Sequence, residues 1–187
     1  MKKIIGLCGV ARCGKDTFFK ISQKLLQNKV PLAKHSFAFA LKQELDMLCK
    51  EQLGFSSFTE DSFQKELIRE TLASWGQLRR LQNPLYWVEK IQNNFIEGIN
   101  FITDVRFENE INFIKNNGGK IIFIHRTKNS VLISPANETE LKHTLPLRAL
   151  ADHCITWDTV EEDIHLLDTQ VKQTLTVLLD RYPPHSV

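Results

Sequence analysis

The 187-residue sequence has almost no net charge and lacks the short motifs that mark several common protein classes. Its 24 basic and 22 acidic side chains leave a formal charge of +2, which gives no electrostatic case for binding polymeric nucleic acid. There is no H-E-x-x-H motif and no G-x-S-x-G motif, so neither a protein-bound zinc site nor serine hydrolase chemistry is indicated. Unlike polymeric nucleic acid, a small phosphate compound does not require a large positive charge, because a few arginines around its pocket are enough.

The four cysteines show no pairing pattern. Cys8, Cys13, Cys49 and Cys154 form no C-x-x-C unit and no His/Cys metal spacing. Their arrangement therefore favours a reduced, cytoplasmic protein over a disulfide scaffold.

Long apolar runs, internal repeats and low-complexity segments are absent as well. No stretch is long enough to span a bilayer, and the first three residues lead straight into a predicted strand without a secretory leader. Hydrophobic residues still make up 42% of the chain, which is enough for a buried core. We expect one globular domain with no membrane partner.

The most informative stretch lies near the start of the chain. It consists of Gly9, Val10, Ala11, Arg12, Cys13, Gly14, Lys15, Asp16 and Thr17. An apolar run at residues 4–8 predicts a buried strand before it, and apolar residues at helical spacing predict a helix after it. Glycines between a strand and a helix, followed by lysine, are typical of the phosphate-binding loop G-x-x-x-x-G-K-[ST].

The physics of such a loop predicts a nucleoside triphosphate ligand. Backbone N–H groups and the helix N-terminus attract phosphate, and Lys15 can reach the β- and γ-phosphates. The match is complete except at the last position, where Asp16 replaces the expected hydroxyl residue and Thr17 follows it. Asp16 and Thr17 are the candidate magnesium ligands, and their roles stay open at this point.

Along the rest of the chain, strands alternate with helices. Predicted strands at residues 4–8, 35–39, 101–104, 120–124 and 152–157 favour an α/β fold with a five-stranded parallel sheet flanked by helices. We predict a single nucleotide-binding domain over residues 1–187. Its core comprises about 1–39, 99–126 and 151–187, with a helical insertion at about 40–98 and a lid at about 127–150.

Charged residues follow two of these strands at the edge where ligands bind in parallel sheets. Asp104 and Arg106 follow the third strand, and Arg126 follows the fourth. Lys42, Arg69 and Arg80 lie in the helical insertion. Pattern alone leaves each of these charges open between a solvated surface position and a phosphate contact.

The ordered set of motifs resembles the phage-type deoxynucleoside monophosphate kinases, within the P-loop kinase group. The resemblance covers nearly the whole chain. It rests on the G-K-D-T ending of the loop, Phe39–Lys42, Arg69–Gly76, Arg80, Tyr86–Val88, the D-x-R-x-x-x-E segment within 101–110, and Arg126.

This resemblance implies a single P-loop kinase domain whose helical insertion at about 40–98 binds the acceptor. It implies transfer of the γ-phosphoryl group of ATP, with magnesium, to a (deoxy)nucleoside monophosphate. It implies that Lys15, Asp104 and Arg126 are catalytic and that the adenine lies near Trp157, at the turn 157–159. The implied acceptor-binding residues are Lys42, Arg69, Arg80, Trp87, Asp104 and Arg106. Whether the chain forms a homodimer remains open.

Two other functions fit the same loop. One is a different small-metabolite P-loop kinase, of the dephospho-coenzyme A or phosphomevalonate type, which would differ in the acceptor pocket. The other is a nucleotide-binding module without transfer activity, which the unusual Asp16 keeps in consideration.

Overall fold

The computed structural model describes residues 2–128, 131–132, 142–158 and 164–179. Residues 129–130 and 133–141 of the predicted lid at 127–150, and residue 159 of the turn where the adenine was expected, lie outside the described residues. The chain divides into two compact units, one of residues 1–34 with 96–187 and one of residues 35–95. The predicted limits of the insertion and the lid stay predictions.

The first unit is built on a parallel sheet. Its strands are β1 (Lys2–Cys8), β2 (Leu32–His35), β3 (Gly98–Val105), β4 (Lys120–Lys128), β5 (Val131–Leu132) and β6 (His153–Asp158). The order is β2-β3-β1-β4-β6, so β1 is central, with parallel ladders to β3 and β4, and β4 pairs in parallel with β6. The predicted five-stranded parallel sheet is therefore confirmed, and the two-residue β5 adds a short antiparallel pairing to the end of β4.

Helices cover this sheet because its strands are apolar on both faces. They are α1 (Lys15–Leu26), α5 (Glu108–Asn116) and a later helix that follows β6, with a 3-10 helix at Leu145–Leu150. The core beneath α1 holds Phe18, Phe101 and Ile122, none of them more than 1% exposed. Packing of this kind holds the carboxyl end of β1, and hence the glycine loop, in a fixed position.

The second unit is entirely helical. It contains α2 (Phe37–Leu53), α3 (Ser62–Gln82) and α4 (Tyr86–Gln92), and the later helix of the first unit is α6 (Ile164–Leu178). The helices α2, α3 and α4 pack against one another in pairs. No helix in the described part of the chain is long and apolar enough to cross a membrane.

The predicted second strand at 35–39 is wrong. The strand ends at His35, and α2 begins at Phe37. Ser36 decides this boundary, because its hydroxyl accepts a hydrogen bond from the backbone N–H of Phe39 at 3.1 Å and so caps the helix. The alternating Phe-Ala-Phe run that suggested a strand is instead the first turn of α2.

Candidate functional site

The glycine loop joins the end of β1 to the start of α1 through backbone angles that favour glycine. Gly9 has φ 140° and Gly14 has φ 106°. A Cβ on Gly9 would lie within 3.0 Å of the Ile124 carbonyl oxygen, and a Cβ on Gly14 would lie within 3.0 Å of the Trp157 ring. Both glycines are therefore needed for space as well as for conformation.

The Lys15 ammonium closes over this loop. It donates hydrogen bonds to the carbonyl oxygens of Gly9 at 2.6 Å and Val10 at 2.7 Å, and lies 3.7 Å from the Cys13 sulfur. A positive charge is thus held at the loop, where the first backbone N–H groups of α1 begin. The arrangement fits a phosphate group, since the ammonium and the helix N-terminus both favour negative charge.

The other loop residues divide into buried and exposed positions. Val10 and Cys13 are buried, whereas Ala11 and Arg12 are exposed, and Arg12 adopts a left-handed conformation with φ 63°. Burial raises the pKa of the Cys13 thiol, although the Lys15 charge opposes the increase. Cys13 therefore stays a protonated packing residue near neutral pH.

The Asp16 carboxylate already forms an ion pair. Its Oδ1 lies 2.9 Å from the Lys34 ammonium, at the end of β2, and its side chain is 75% exposed. Exposed ion pairs of this kind contribute little to stability, so the carboxylate can exchange partners at low cost. A carboxylate beside the exposed Thr17, next to a phosphate loop, is a donor set that suits Mg²⁺.

The carboxyl end of β3 lies beside the end of β1, because Cys8 is paired with Val105. This pairing brings Asp104 and Arg106 to the same sheet edge as the glycine loop. The Glu110 carboxylate accepts hydrogen bonds from the backbone N–H groups of Arg106 at 2.8 Å and Phe107 at 3.1 Å. The buried glutamate of the D-x-R-x-x-x-E segment thus fixes the turn that presents Arg106.

Arg126 and Trp157 complete this edge. They are partners across the β4–β6 ladder, and the Arg126 guanidinium donates to the Arg12 carbonyl oxygen at 3.4 Å. Trp157 is 5% exposed, is stacked near Phe18, and lies under Gly14. Its buried Nε1 has no hydrogen-bond partner within the described ranges. The structure therefore places Trp157 beneath the loop, and its contact with adenine stays a prediction.

The predicted acceptor residues of the helical unit differ in their surroundings. Arg69 is two-thirds exposed and pairs with Glu66 at 2.8 Å. The Lys42 ammonium lies 5.8 Å from the centre of the Phe58 ring. Trp87 is buried and donates its indole N–H to the Gly76 carbonyl oxygen at 3.1 Å. Trp87 is thus a core residue of this unit, and its acceptor contact also stays a prediction.

Sequence reasoning missed a polar cluster in the same unit. Glu44 accepts hydrogen bonds from Trp75, Arg79 and Tyr86. The only sequence signal was a group of aromatic and basic residues at helical positions, which could not reveal their common partner on α2.

His125 is a further residue without a sequence signal. It is 7% exposed, and its Nε2 has no hydrogen-bond partner in the part of the chain that the structure describes. Burial, and then the Arg148 charge, lower the pKa of its imidazole below the ordinary value of 6.5. The folded protein therefore favours the neutral ring.

This pKa shift predicts acid sensitivity. Below about pH 6.5 the unfolded chain binds a proton at His125 that the folded chain resists, so folding stability should fall as the pH decreases through that range. His125→Gln should flatten this part of the pH profile, measured by urea denaturation between pH 5 and 8. His153→Gln, on the neighbouring strand, is the control. An unchanged slope in the His125 variant would contradict the prediction.

Comparisons with known proteins agree with this architecture. Residues 7–120 match the family model described as phosphomevalonate kinase. The chain belongs to the phosphomevalonate kinase family. It is accordingly a small-metabolite P-loop kinase, an ATP-dependent phosphotransferase. The narrower likeness to phage-type deoxynucleoside monophosphate kinases is not established by this match.

The fold is also that of a solved structure. A shikimate kinase from Bacteroides thetaiotaomicron superposes with a TM-score of 0.52 at 15% identity, covering 95% of this chain and 98% of that one. A sugar kinase from Janibacter has a TM-score of 0.48 at 13% identity, covering 98% and 97% of the two chains. No curated protein matches the sequence significantly.

Proposed function

We propose that this kinase transfers the γ-phosphoryl group of ATP to the phosphate of a small phosphorylated metabolite. The observation that carries the proposal is the Lys15 ammonium held over a loop of glycines at the start of α1. Phosphoryl transfer depends on positioning and charge neutralisation, which such a site supplies. Mg²⁺, when bound, neutralises charge on the β- and γ-phosphates.

The candidate site residues of the first unit then have the following roles. Lys15 holds the transferring phosphoryl group, and Asp16 with Thr17 would hold a magnesium ion. Arg126, which contacts the loop backbone, neutralises charge that develops during transfer. Asp104 and Arg106 act toward the acceptor, since a guanidinium binds phosphate through two parallel hydrogen bonds.

The acceptor that we favour is a (deoxy)nucleoside monophosphate. The Phe39 side chain is 56% exposed and lies against Phe58, with ring centres 5.1 Å apart, and Lys42 lies beside Phe58. An exposed aromatic ring close to a cation suits a compound that carries both a base and a phosphate. Arg69 and Arg80 supply further phosphate-binding groups in the same unit.

Phosphomevalonate is the second candidate acceptor, because the family whose model matches is described as phosphomevalonate kinase. It carries a phosphate but no aromatic ring, so it would use the basic residues without the Phe39 surface. A Phe39→Ala variant therefore separates the two acceptors: it should weaken binding of a nucleotide and leave phosphomevalonate unaffected.

The test is an ADP-release assay with ATP and Mg²⁺ against all common nucleoside and deoxynucleoside monophosphates, phosphomevalonate and dephospho-coenzyme A. Release above background with one nucleotide class is the expected result. Release with phosphomevalonate alone would replace the favoured acceptor. Tight ATP binding without release on any acceptor would instead indicate a nucleotide-binding module.

Magnesium dependence gives a separate prediction. Lys34→Met removes the ammonium that occupies Asp16, so the Mg²⁺ concentration needed for half-maximal binding of a non-hydrolysable ATP analogue should fall by about threefold to tenfold. Asp16→Asn should raise it. Calorimetric titration measures both, with Lys20→Met on the exposed side of α1 as the control. A higher Mg²⁺ requirement in the Lys34 variant would contradict competition between the two cations.

A further inference from the structure

The Glu44 carboxylate links the three helices of the helical unit through hydrogen bonds. Glu44, on α2, accepts from the Tyr86 hydroxyl at 2.6 Å and from the Trp75 indole N–H at 3.1 Å. It also pairs with Arg79, whose Nε donates at 2.8 Å and whose second nitrogen lies 2.6 Å away, and with the Lys90 ammonium at 3.8 Å. The carboxylate therefore receives donors from both α3 and α4.

The Arg79 guanidinium is itself held by aromatic rings. It lies 4.8 Å from the centre of the Trp75 ring and 4.9 Å from that of Tyr86. The guanidinium is thus confined between two ring faces while its N–H groups bind Glu44. Because four groups restrain one another, each has little freedom to rotate alone.

This cluster is mostly shielded from water but remains charged. The Glu44 side chain is 17% exposed and that of Arg79 is 29% exposed. Burial opposes the charge on Glu44, but the hydrogen bonds from Tyr86, Arg79 and Trp75 outweigh it and lower the pKa of the carboxyl group. Glu44 therefore stays ionised throughout the neutral range.

The members of the cluster are next to the residues assigned to the acceptor. Arg79 directly precedes Arg80, and Tyr86 directly precedes Trp87. Since successive residues on a helix project about 100° apart, fixing Arg79 also fixes the direction in which the neighbouring Arg80 leaves α3.

We propose that Glu44 is a positioning residue for the acceptor, which acts by holding Arg79 and Tyr86 so that the neighbouring Arg80 is presented in one fixed direction. This inference rests on the proposed function. In this role Glu44 acts through Arg79 and Tyr86 and not by touching the substrate. Its effect is to fix the direction of a guanidinium on α3, which bidentate binding of a phosphate requires.

The variant Glu44→Gln tests this role because it keeps the side-chain size and removes the charge. We expect the KM for the acceptor to rise about tenfold or more, while kcat at saturating acceptor and the dissociation constant of the ATP analogue change less than about threefold. Tyr86→Phe removes a single donor and should give a smaller rise in the same direction. Combined with Glu44→Gln, its effect should be less than additive.

Asp46 offers a matched control on the same helix. Its side chain is also 17% exposed, and it binds Lys50 and the hydroxyl groups of Ser56 and Ser57. Asp46→Asn should reduce the stability of the unit to a similar extent but leave the KM for the acceptor within about threefold of the wild type. Thermal unfolding of both variants gives the stability comparison.

The outcomes separate the inference from the function on which it rests. If the wild type turns over an acceptor and Glu44→Gln has an unchanged acceptor KM, the positioning role is wrong and the proposed function stands. Equal increases in KM for Glu44→Gln and Asp46→Asn would also overturn it, since loss of stability alone would then explain the effect. If the wild type turns over no acceptor, the proposed function fails and removes the basis for the inference.

Discussion

Lys15→Ala is expected to lower turnover by about a hundredfold to a thousandfold while the protein stays folded. The ammonium is the cation that the structure holds over the glycine loop, through the Gly9 and Val10 carbonyl oxygens. Without it, charge on the transferring phosphoryl group loses its nearest neutralising partner. The measurement is kcat in the ADP-release assay, with circular dichroism and thermal unfolding to verify folding.

The control for this variant lies one and a half turns further along the same helix. Lys20→Ala removes an exposed lysine of α1 and should leave kcat within about twofold of the wild type, as for most surface substitutions. Full activity in the Lys15 variant would show that the loop does not bind the transferring phosphate. Equal losses in both variants would indicate a general effect of charge.

Gly9→Ala should have the second large effect, on both stability and ATP binding. The added Cβ would collide with the Ile124 backbone oxygen and the Cys13 sulfur, and the residue would keep a φ of 140°. Backbone strain and overpacking together should cost about 2–4 kcal/mol in the free energy of unfolding. Because the loop must move to relieve the collision, binding of an ATP analogue should fall by at least about tenfold.

A Gly118→Ala variant distinguishes the effect of backbone strain from that of the steric collision expected at Gly9. Gly118 also has a positive φ, of 72°, but a Cβ there would meet no atom within 4 Å. This variant should cost only about 1 kcal/mol and leave ATP binding unchanged. Urea denaturation gives both unfolding free energies, and calorimetry gives both affinities. Equal destabilisation of the two variants would show that space at Gly9 is not limiting.

The glycine loop could be predicted from sequence because its constraints are local. A strand, two glycines at fixed spacing, a lysine and a helix all lie within residues 2–26, and each has a backbone reason. The parallel sheet followed from the alternation of strands and helices. The second strand was misplaced, since it shares only His35 with the prediction, and a Ser36 hydrogen bond starts α2 where the apolar pattern had suggested a strand.

The Glu44 cluster could not be predicted in the same way. Its members come from three helices and lie up to 42 positions apart in sequence. Each residue taken alone has an ordinary explanation: a surface glutamate, a solvated arginine or a core tyrosine. Only the packing of α2, α3 and α4 brings them within hydrogen-bond distance. His125 was missed for a similar reason, since its burial depends on the elements packed around β4.

The distribution of tryptophan has a practical consequence for optical experiments. Trp157 lies directly under Gly14 of the glycine loop, whereas Trp75 and Trp87 both belong to the helical unit. Indole emission responds to the polarity and charge around the ring, so each unit carries its own intrinsic fluorophore. A variant with Phe at positions 75 and 87 would report nucleotide arrival at the loop alone. A variant with Phe at position 157 would report events in the helical unit, and stopped-flow traces of the two would give the order in which the substrates bind.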